Sequence, residues 1–115
     1  MALKIGVIAD AHGNLTALEA VMDAISAAAP DFVVNLGDLV SGPFDPAGSA
    51  EVQMRSGYLT IAGNHERQLL AITPAKPGGA SDRFARECLG DAELDWLRGL
   101  PVTLRLSDEI LLCHG

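Results

Sequence analysis

Short apolar runs alternate with a helix-like pattern along the first third of this 115-residue chain. Residues 3–9 (LKIGVIA) and 32–36 (FVVNL) are rich in Ile, Val and Leu, which predicts two buried strands. Between them, apolar side chains recur at spacings of three and four, which predicts a helix over residues 15–29. Asn14 is the predicted N-cap of this helix, and Pro30 ends it. This order predicts a parallel βαβ unit.

The pattern after the second strand predicts loops, short helices and short strands. Two prolines and two glycines predict a loop over residues 41–50. The later elements are predicted as a short helix at 51–56, a strand at 58–62, a helix at 66–72, a loop at 73–80, helices at 82–89 (N-capped by Ser81) and 91–100, and a hairpin of strands 103–106 and 110–113. The whole order predicts an α/β fold in a single domain over residues 1–115.

Composition narrows the class of protein without changing this picture. Hydrophobic residues make up 49% of the chain, so we expect a folded domain rather than a disordered chain. The net charge of -7, from 15 acidic and 8 basic residues, argues against sequence-independent binding of DNA or RNA. A nucleotide is not excluded as a substrate, because bound cations would offset negative charge locally.

The sequence shows no pattern typical of secretion or of a membrane span. Asp10 breaks the N-terminal apolar run too early for a signal peptide, and no apolar stretch approaches the ~20 residues that a membrane span needs. Cys88 and Cys113 form neither a metal-type CxxC pair nor a disulfide framework. We therefore expect a cytoplasmic protein without membrane contact.

Residues with metal-binding chemistry follow four of the predicted strands. In chain order they are Asp10, His12, Asp38, Asn64, His65 and His114. Because ligands of open α/β sheets bind at the carboxyl ends of the strands, we expect these side chains to converge on one edge of one sheet. Histidine, carboxylate and amide oxygen together suit a borderline divalent cation. Each segment alone is a weak signal, since turns favour aspartate and glycine in any case.

Taken together, these segments resemble the motifs of the calcineurin-like metallophosphoesterase superfamily. The matching segments, in order, are DAHGN at 10–14, GD at 37–38, GNHE at 63–66 and CHG at 113–115. The resemblance is strongest to the small bacterial and archaeal phosphodiesterase branch, and it covers residues 3–115. It implies an αββα sandwich of two sheets flanked by helices.

The resemblance also implies an activity. The protein is expected to be a metal-dependent phosphoesterase that hydrolyses a phosphodiester or phosphomonoester with a metal-bound hydroxide. The implied cofactors are two divalent metal ions of the Mn, Fe, Zn, Co or Ni class. The implied partner is a small phosphoester substrate, with nucleotides among the candidates.

The resemblance implies that five residues of this chain bind the metals. Asp10 and His12 would bind the first ion, while Asn64 and His114 would bind the second. Asp38 would bridge both, because two dications held close together need a shared negative charge between them.

His65 receives a different role from the resemblance. It would not bind metal but would lie beside the substrate phosphate and assist the departure of the leaving group. The alternative is a structural histidine in a turn.

The chain departs from the family pattern in one respect. The pattern ends with a Gly-His-x-His motif downstream of residues 113–115, and the sequence has nothing after Gly115. Each predicted metal site therefore has three protein ligands, and the second sheet is expected to be incomplete. The alternatives are an incomplete chain, a short paralogue, and a second chain that supplies the rest. We favour the first, in which residues 1–115 would be the N-terminal portion of a metallophosphoesterase domain. The alternative function is a non-catalytic module that binds metal or phosphate, and association into a homo-oligomer stays open.

Overall fold

A three-stranded parallel sheet forms the centre of the computed structural model, which describes residues 2–115. Its strands are β1 (Ile5–Ile8), β2 (Phe32–Asn35) and β3 (Leu59–Thr60), with β2 in the middle. Ile5 lies opposite Phe32, and Val34 lies opposite Leu59. The three predicted strands are thus confirmed, although each is shorter than predicted. The parallel β1–β2 pair confirms the predicted βαβ start.

The crossover helix of this unit is α1 (Leu15–Ala27), which begins where it was predicted. Asn14 is its N-cap, and the Oδ1 atom of Asn14 accepts a hydrogen bond of 3.1 Å from the backbone N–H of Ala17. The helix ends two residues earlier than predicted. Ala29 has a φ of 48°, since the residue before Pro30 is disfavoured in the helical region.

The predicted loop over residues 41–50 is wrong in its second half. Helix α2 (Pro46–Arg55) begins inside it and includes the short helix predicted further on. Asp45 is the N-cap, with its Oδ1 atom 2.9 Å from the backbone N–H of Gly48. Aspartate followed by proline is a common way to start a helix, because proline has the right φ and no N–H to leave unpaired. The loop was predicted because proline and glycine interrupt a helix when they lie inside it.

Three further helices follow the sheet. They are α3 (Asn64–Leu70), α4 (Ala80–Cys88) and α5 (Asp91–Arg98). Helix α3 begins two residues earlier than predicted, so Asn64 and His65 lie in its first turn. Helix α4 is N-capped by Gly79 and not by Ser81, which lies inside the helix. Glycine is nearly as good an N-cap as serine, and sequence alone does not choose between two candidates that lie two positions apart.

The predicted hairpin is confirmed as an antiparallel pair, β4 (Thr103–Arg105) and β5 (Leu111–Cys113). It packs on the parallel sheet through a buried cluster that includes Val34, Ile61 and Leu112. A second cluster joins the helices; its buried members are Leu39, Val40, Ala50, Leu69, Ala85, Leu89 and Leu97. The architecture is therefore α/β with a second, small antiparallel sheet, as predicted. Across residues 2–115, the helices are all too short or too polar to cross a bilayer.

Candidate metal centre

The loops that leave β1 and β2 are hydrogen bonded to each other beyond the strand ends. The backbone N–H of Asp10 donates to the carbonyl of Gly37 at 2.9 Å, and the N–H of His12 donates to the carbonyl of Asp38 at 3.0 Å. Strand pairing therefore continues into the loops. It fixes Asp10 and His12 beside Asp38, although 26 residues or more separate them in the chain.

Three non-glycine residues in these loops have a left-handed backbone. The φ angles are 59° at Asp10, 48° at His12 and 57° at Asp38. Such values are uncommon for residues with a side chain and cost free energy. Strained backbone concentrates at functional sites, so the φ angles and the side-chain chemistry single out the same three residues.

The Asp38 carboxylate lies at the centre of a cluster of metal-binding atoms. The residue is only 4% exposed. The Nε2 atom of His12 lies 3.5 Å from Asp38 Oδ2 and 3.5 Å from Asp10 Oδ1. The Nε2 atom of His114 lies 3.3 Å from Asp38 Oδ2 and 3.1 Å from Asn64 Oδ1. The structure thus brings together all five residues that the sequence analysis assigned to metal.

Backbone carbonyls determine which nitrogen of each histidine faces this cluster. His12 Nδ1 lies 2.9 Å from the carbonyl oxygen of Ser41, and His114 Nδ1 lies 2.7 Å from that of Leu36. A carbonyl oxygen only accepts, so each Nδ1 must carry the proton. In the neutral rings Nε2 then presents a lone pair to the oxygens around Asp38. A set of lone pairs and carboxylate oxygens facing one another fits a divalent cation.

Two groups of three side chains have potential ligand atoms within 4.8 Å of one another. One group is Asp10, Asp38 and His114, and the other is His12, Asp38 and His65. Asp38 is the member that both share, which is the position predicted for a bridging carboxylate. The members of the two groups differ from the expected ligand sets. The resemblance implies that Asp10 and His12 bind the same ion and that His65 is not a ligand.

His65 is paired with a carboxylate from a distant helix. Its Nδ1 atom lies 2.9 Å from Oδ1 of Asp82 in α4, and Asp82 is 4% exposed. The His65 ring meets the ring of His12 edge to face, with centroids 5.2 Å apart. The hydrogen bond to Asp82 raises the pKa of His65, while partial burial of the ring opposes this rise.

A fully buried glutamate supports the cluster by accepting hydrogen bonds from the backbone around it. Glu66 is 0% exposed. Its Oε1 atom accepts from the N–H groups of Asp38 (2.7 Å) and Gly63 (2.8 Å), and its Oε2 atom accepts from that of Leu39 (2.9 Å). One carboxylate thereby joins the loop after β2 to the start of α3. Since the side chains of Asp38, Asn64 and His65 come from these two segments, Glu66 fixes their relative position.

Comparison with known sequences places the chain in a family. The sequence model described as calcineurin-like phosphoesterase matches residues 3–115. The chain belongs to the calcineurin-like phosphoesterase family. Members of this family are hydrolases, and the resemblance found in the motifs is confirmed.

Solved structures of calcineurin-like phosphoesterases share the fold. A metallophosphoesterase from Sphaerobacter thermophilus is 29% identical, with a TM-score of 0.74 over 92% of this chain and 44% of its own. A putative diadenosine tetraphosphatase is 25% identical, with a TM-score of 0.73 over 98% of this chain and 55% of its own. This chain therefore spans about half the length of the solved structures it matches. Among curated proteins no match is found.

Sequence reasoning missed the residues that support this calcineurin-like site. Glu66 carried a usable signal, because an acid three residues after a helix N-cap is typical of a capping box. Asp82 carried none, since an acid in the first turn of a helix is common and its partner is 17 residues away in the chain.

The contact between Gly63 and Asp38 gives a first prediction. A Cβ atom at position 63 would overlap Asp38 Oδ1 and lie 2.7 Å from the backbone nitrogen of Asp38. We expect Gly63→Ala to displace the carboxylate, to lower the free energy of unfolding by about 1–3 kcal/mol and to weaken Mn²⁺ binding. Thermal unfolding and calorimetric Mn²⁺ titration measure both effects.

Gly90 is the matched control for this substitution. It is the N-cap of α5 with nearly the same backbone angles as Gly63, and a Cβ there meets only the mobile end of Glu93, at 3.0 Å. Gly90→Ala should leave Mn²⁺ affinity unchanged. Equal losses of Mn²⁺ affinity in the two variants would show that contact with Asp38 is not the cause.

Proposed function

We propose that this protein is a metal-dependent phosphoesterase in which two divalent cations share the Asp38 carboxylate. The observation that carries the proposal is the position of Asp38. Its carboxylate is buried and faces the Nε2 atoms of His12 and His114, at 3.5 Å and 3.3 Å. A buried carboxylate that faces two imidazole lone pairs needs a cation between them.

The five proposed metal ligands divide between the two proposed ions. Asp10 and His12 would hold one ion with Asp38, and the Nε2 atom of His12 lies 3.5 Å from an oxygen of each carboxylate. Asn64 and His114 would hold the other with Asp38. The division agrees with the roles that the family resemblance implies. His65 is left for the substrate because Asp82 occupies its Nδ1 atom.

A pair of divalent cations supplies a water nucleophile of lowered pKa and neutralises charge on the phosphoryl oxygens. The chain contributes the geometry around them. The hydrogen bonds from His12 and His114 to backbone carbonyls fix both rings before any ligand arrives. One ring nitrogen of His65 lies within 4.8 Å of ligand atoms of His12 and Asp38. Since Nδ1 is hydrogen bonded to Asp82, Nε2 is the nitrogen left to hold a proton for the leaving oxygen.

A nucleotide is the substrate class that we propose. The support comes from one structural neighbour, which is described as a putative diadenosine tetraphosphatase. The net charge of -7 would repel an anionic nucleotide unless bound cations offset it, so we expect nucleotide binding to depend on metal.

We also propose a cytoplasmic location and one domain over residues 1–115. Cys88 and Cys113 are both free and exposed, which is typical of proteins in a reducing compartment. The match of the family model to residues 3–115 as one stretch supports a single domain.

A non-catalytic metal-binding module is the second candidate function. The observation that favours it is the size of the two groups around Asp38, each with three protein side chains. Such a module would bind metal and phosphate without turnover, so turnover separates the two candidates.

Metal addition tests the proposed function through stability and turnover together. At about a hundred times its dissociation constant, Mn²⁺ should stabilise the protein by about 2.7 kcal/mol, because it binds the folded state only. That corresponds to a rise in Tm of roughly 5–15 °C for a domain of this size. Mn²⁺ should also start hydrolysis of bis(p-nitrophenyl) phosphate and of dinucleoside polyphosphates.

Asp95 provides the control for non-specific binding of Mn²⁺ to surface acids. Asp95→Ala removes an exposed carboxylate from α5 that pairs with Arg98 and belongs to neither group of potential ligands. This variant should show the same rise in Tm as the unaltered protein. A rise in Tm without turnover of any phosphoester would favour the non-catalytic module, and no rise at all would contradict both candidates.

A further inference from the structure

Helices α3, α4 and α5 each have an acidic residue at the third helical position. The acid in α4 makes a different contact from the other two. Glu66 in α3 and Glu93 in α5 reach back to the backbone N–H of the glycine that caps their own helix. This is the usual role of an acid at the third helical position. Asp82 holds the same position in α4, after the capping residue Gly79. Its Oδ1 atom instead contacts Nδ1 of His65, at 2.9 Å.

The Asp82 carboxylate that makes this contact is buried. The Asp82 side chain is 6% exposed, while Arg83 next to it is exposed and donates to the carbonyl of Gly78. A buried carboxylate needs a donor, and His65 is the donor that Asp82 has. The pair also joins α4 to the start of α3. His65 is thus fixed by two hydrogen bonds, one from its backbone N–H to Asp38 and one between its ring and Asp82.

The contact determines which nitrogen of His65 is presented to the site. A carboxylate accepts a hydrogen bond, so Nδ1 carries a proton and Nε2 is the nitrogen left for the substrate. The backbone N–H of His65 donates to Asp38 Oδ1 at 3.1 Å, which places the residue directly beside the shared carboxylate. The His65 ring, 5.2 Å from that of His12, stands at the edge of the cluster.

We propose that Asp82 is a positioning residue that holds the Nδ1–H of His65 and so directs Nε2 toward the leaving oxygen of the substrate. This inference rests on the proposed phosphoester hydrolysis. In the step that it serves, the bond between phosphorus and the leaving oxygen breaks. In the doubly protonated ring, the Nδ1–H stays hydrogen bonded to Asp82 while the proton on Nε2 passes to that oxygen. Water supplies the oxygen that forms the new bond to phosphorus, and the proton that this water loses restores the one on Nε2.

The tautomer of His65 provides a test without metal or substrate. Long-range ¹H–¹⁵N spectra of the metal-free protein at alkaline pH distinguish the two neutral forms of the ring. We expect the Nδ1–H form for His65 in the unaltered protein. We expect the Nε2–H form, which free imidazole side chains prefer, to increase in Asp82→Ala. An Nε2–H ring in the unaltered protein would overturn the proposal, whatever the variant does.

Leaving groups of different acidity provide the kinetic test. With Mn²⁺ bound, Asp82→Ala should lower kcat about 10–100-fold for an alkyl phosphodiester, whose leaving oxygen needs a proton. For the p-nitrophenyl ester, whose leaving group departs as an anion, the fall should be less than about threefold. KM should change little for either ester. A purely structural role would lower kcat for both esters equally, and that result would overturn the proposal.

Two controls complete the experiment. In a His65→Ala background, Asp82→Ala should have no further effect on kcat, because Asp82 acts only through that ring. Asp91→Ala, which removes an exposed first-turn acid from α5, should leave both esters unaffected. Weaker Mn²⁺ binding in Asp82→Ala would show that His65 is a metal ligand and would overturn the inference.

The proposed function and this inference fail in different ways. No turnover by the unaltered protein contradicts the hydrolysis but leaves the histidine tautomer measurable. An unchanged kcat for the alkyl phosphodiester in Asp82→Ala, together with an unchanged tautomer, contradicts only the role of Asp82.

Discussion

Replacement of Asp38 by alanine is expected to abolish tight Mn²⁺ binding and to lower kcat/KM for a phosphodiester at least about a thousandfold. The cations are proposed to stabilise the charge of the transition state by several kcal/mol, and about 4 kcal/mol corresponds to a factor of a thousand. Asp38 lies within 3.5 Å of both His12 and His114, so its loss would remove a ligand from both proposed ions at once. Calorimetric titration with Mn²⁺ and steady-state kinetics measure the two effects.

Two further variants show whether the effect is specific to the Asp38 charge. Asp38→Asn keeps the size of the side chain and its acceptor for the N–H of His65, but it lacks the negative charge between two cations. It should lose nearly as much activity as the alanine variant while staying folded. Asp95→Ala should keep full activity. A fully active Asp38→Asn protein would refute the shared-carboxylate arrangement.

Replacement of Glu66 by glutamine is expected to lower the free energy of unfolding by about 2–4 kcal/mol. Two of the three N–H donors, from Asp38 and Gly63, share Oε1, and a glutamine oxygen could still accept both. The third, from Leu39, would then face an amide N–H₂ group, which leaves buried donors unpaired. Urea unfolding measures the loss, and the weaker support of Asp38 should also appear as lower Mn²⁺ affinity.

Glu93 is a closely matched control for Glu66. It occupies the same helical position in α5, and its Oε2 atom accepts from the N–H of Gly90 at 3.1 Å. Glu93 is only partly buried, whereas Glu66 is fully buried, and glutamine serves in a capping box as well as glutamate does. Glu93→Gln should change the free energy of unfolding by less than about 0.5 kcal/mol. If Glu66→Gln is equally mild, the three buried hydrogen bonds do not stabilise the site.

The position of the candidate site was predictable because it depends on the ends of strands. Runs such as 3–9 and 32–36 mark buried strands, and parallel strands bring their carboxyl ends together. The order of residues along the chain is therefore enough to predict that Asp10 and Asp38 lie side by side. The helix at Pro46–Arg55 was missed at its start because proline and glycine have opposite meanings inside and at the beginning of a helix.

The support of the site was not predictable in the same way. Asp82 and His65 meet through the packing of α3 against α4, and no periodic pattern in the sequence records that contact. The carbonyls of Leu36 and Ser41 fix the histidine rings through the backbone, which carries no information about residue type. The convergence of side chains at strand ends was predictable from the sequence, whereas the tertiary contacts that support them became visible only in the structure.

The most direct test of the account is electron paramagnetic resonance of the protein titrated with Mn²⁺. Asp38 is proposed to be shared by two cations, and two Mn²⁺ ions joined by one carboxylate are magnetically coupled. The unaltered protein should take up two Mn²⁺ ions per chain and show the spectrum of a coupled pair, which Asp38→Ala should lose. Uptake of a single ion, or of two ions with the spectrum of isolated Mn²⁺, would contradict the account.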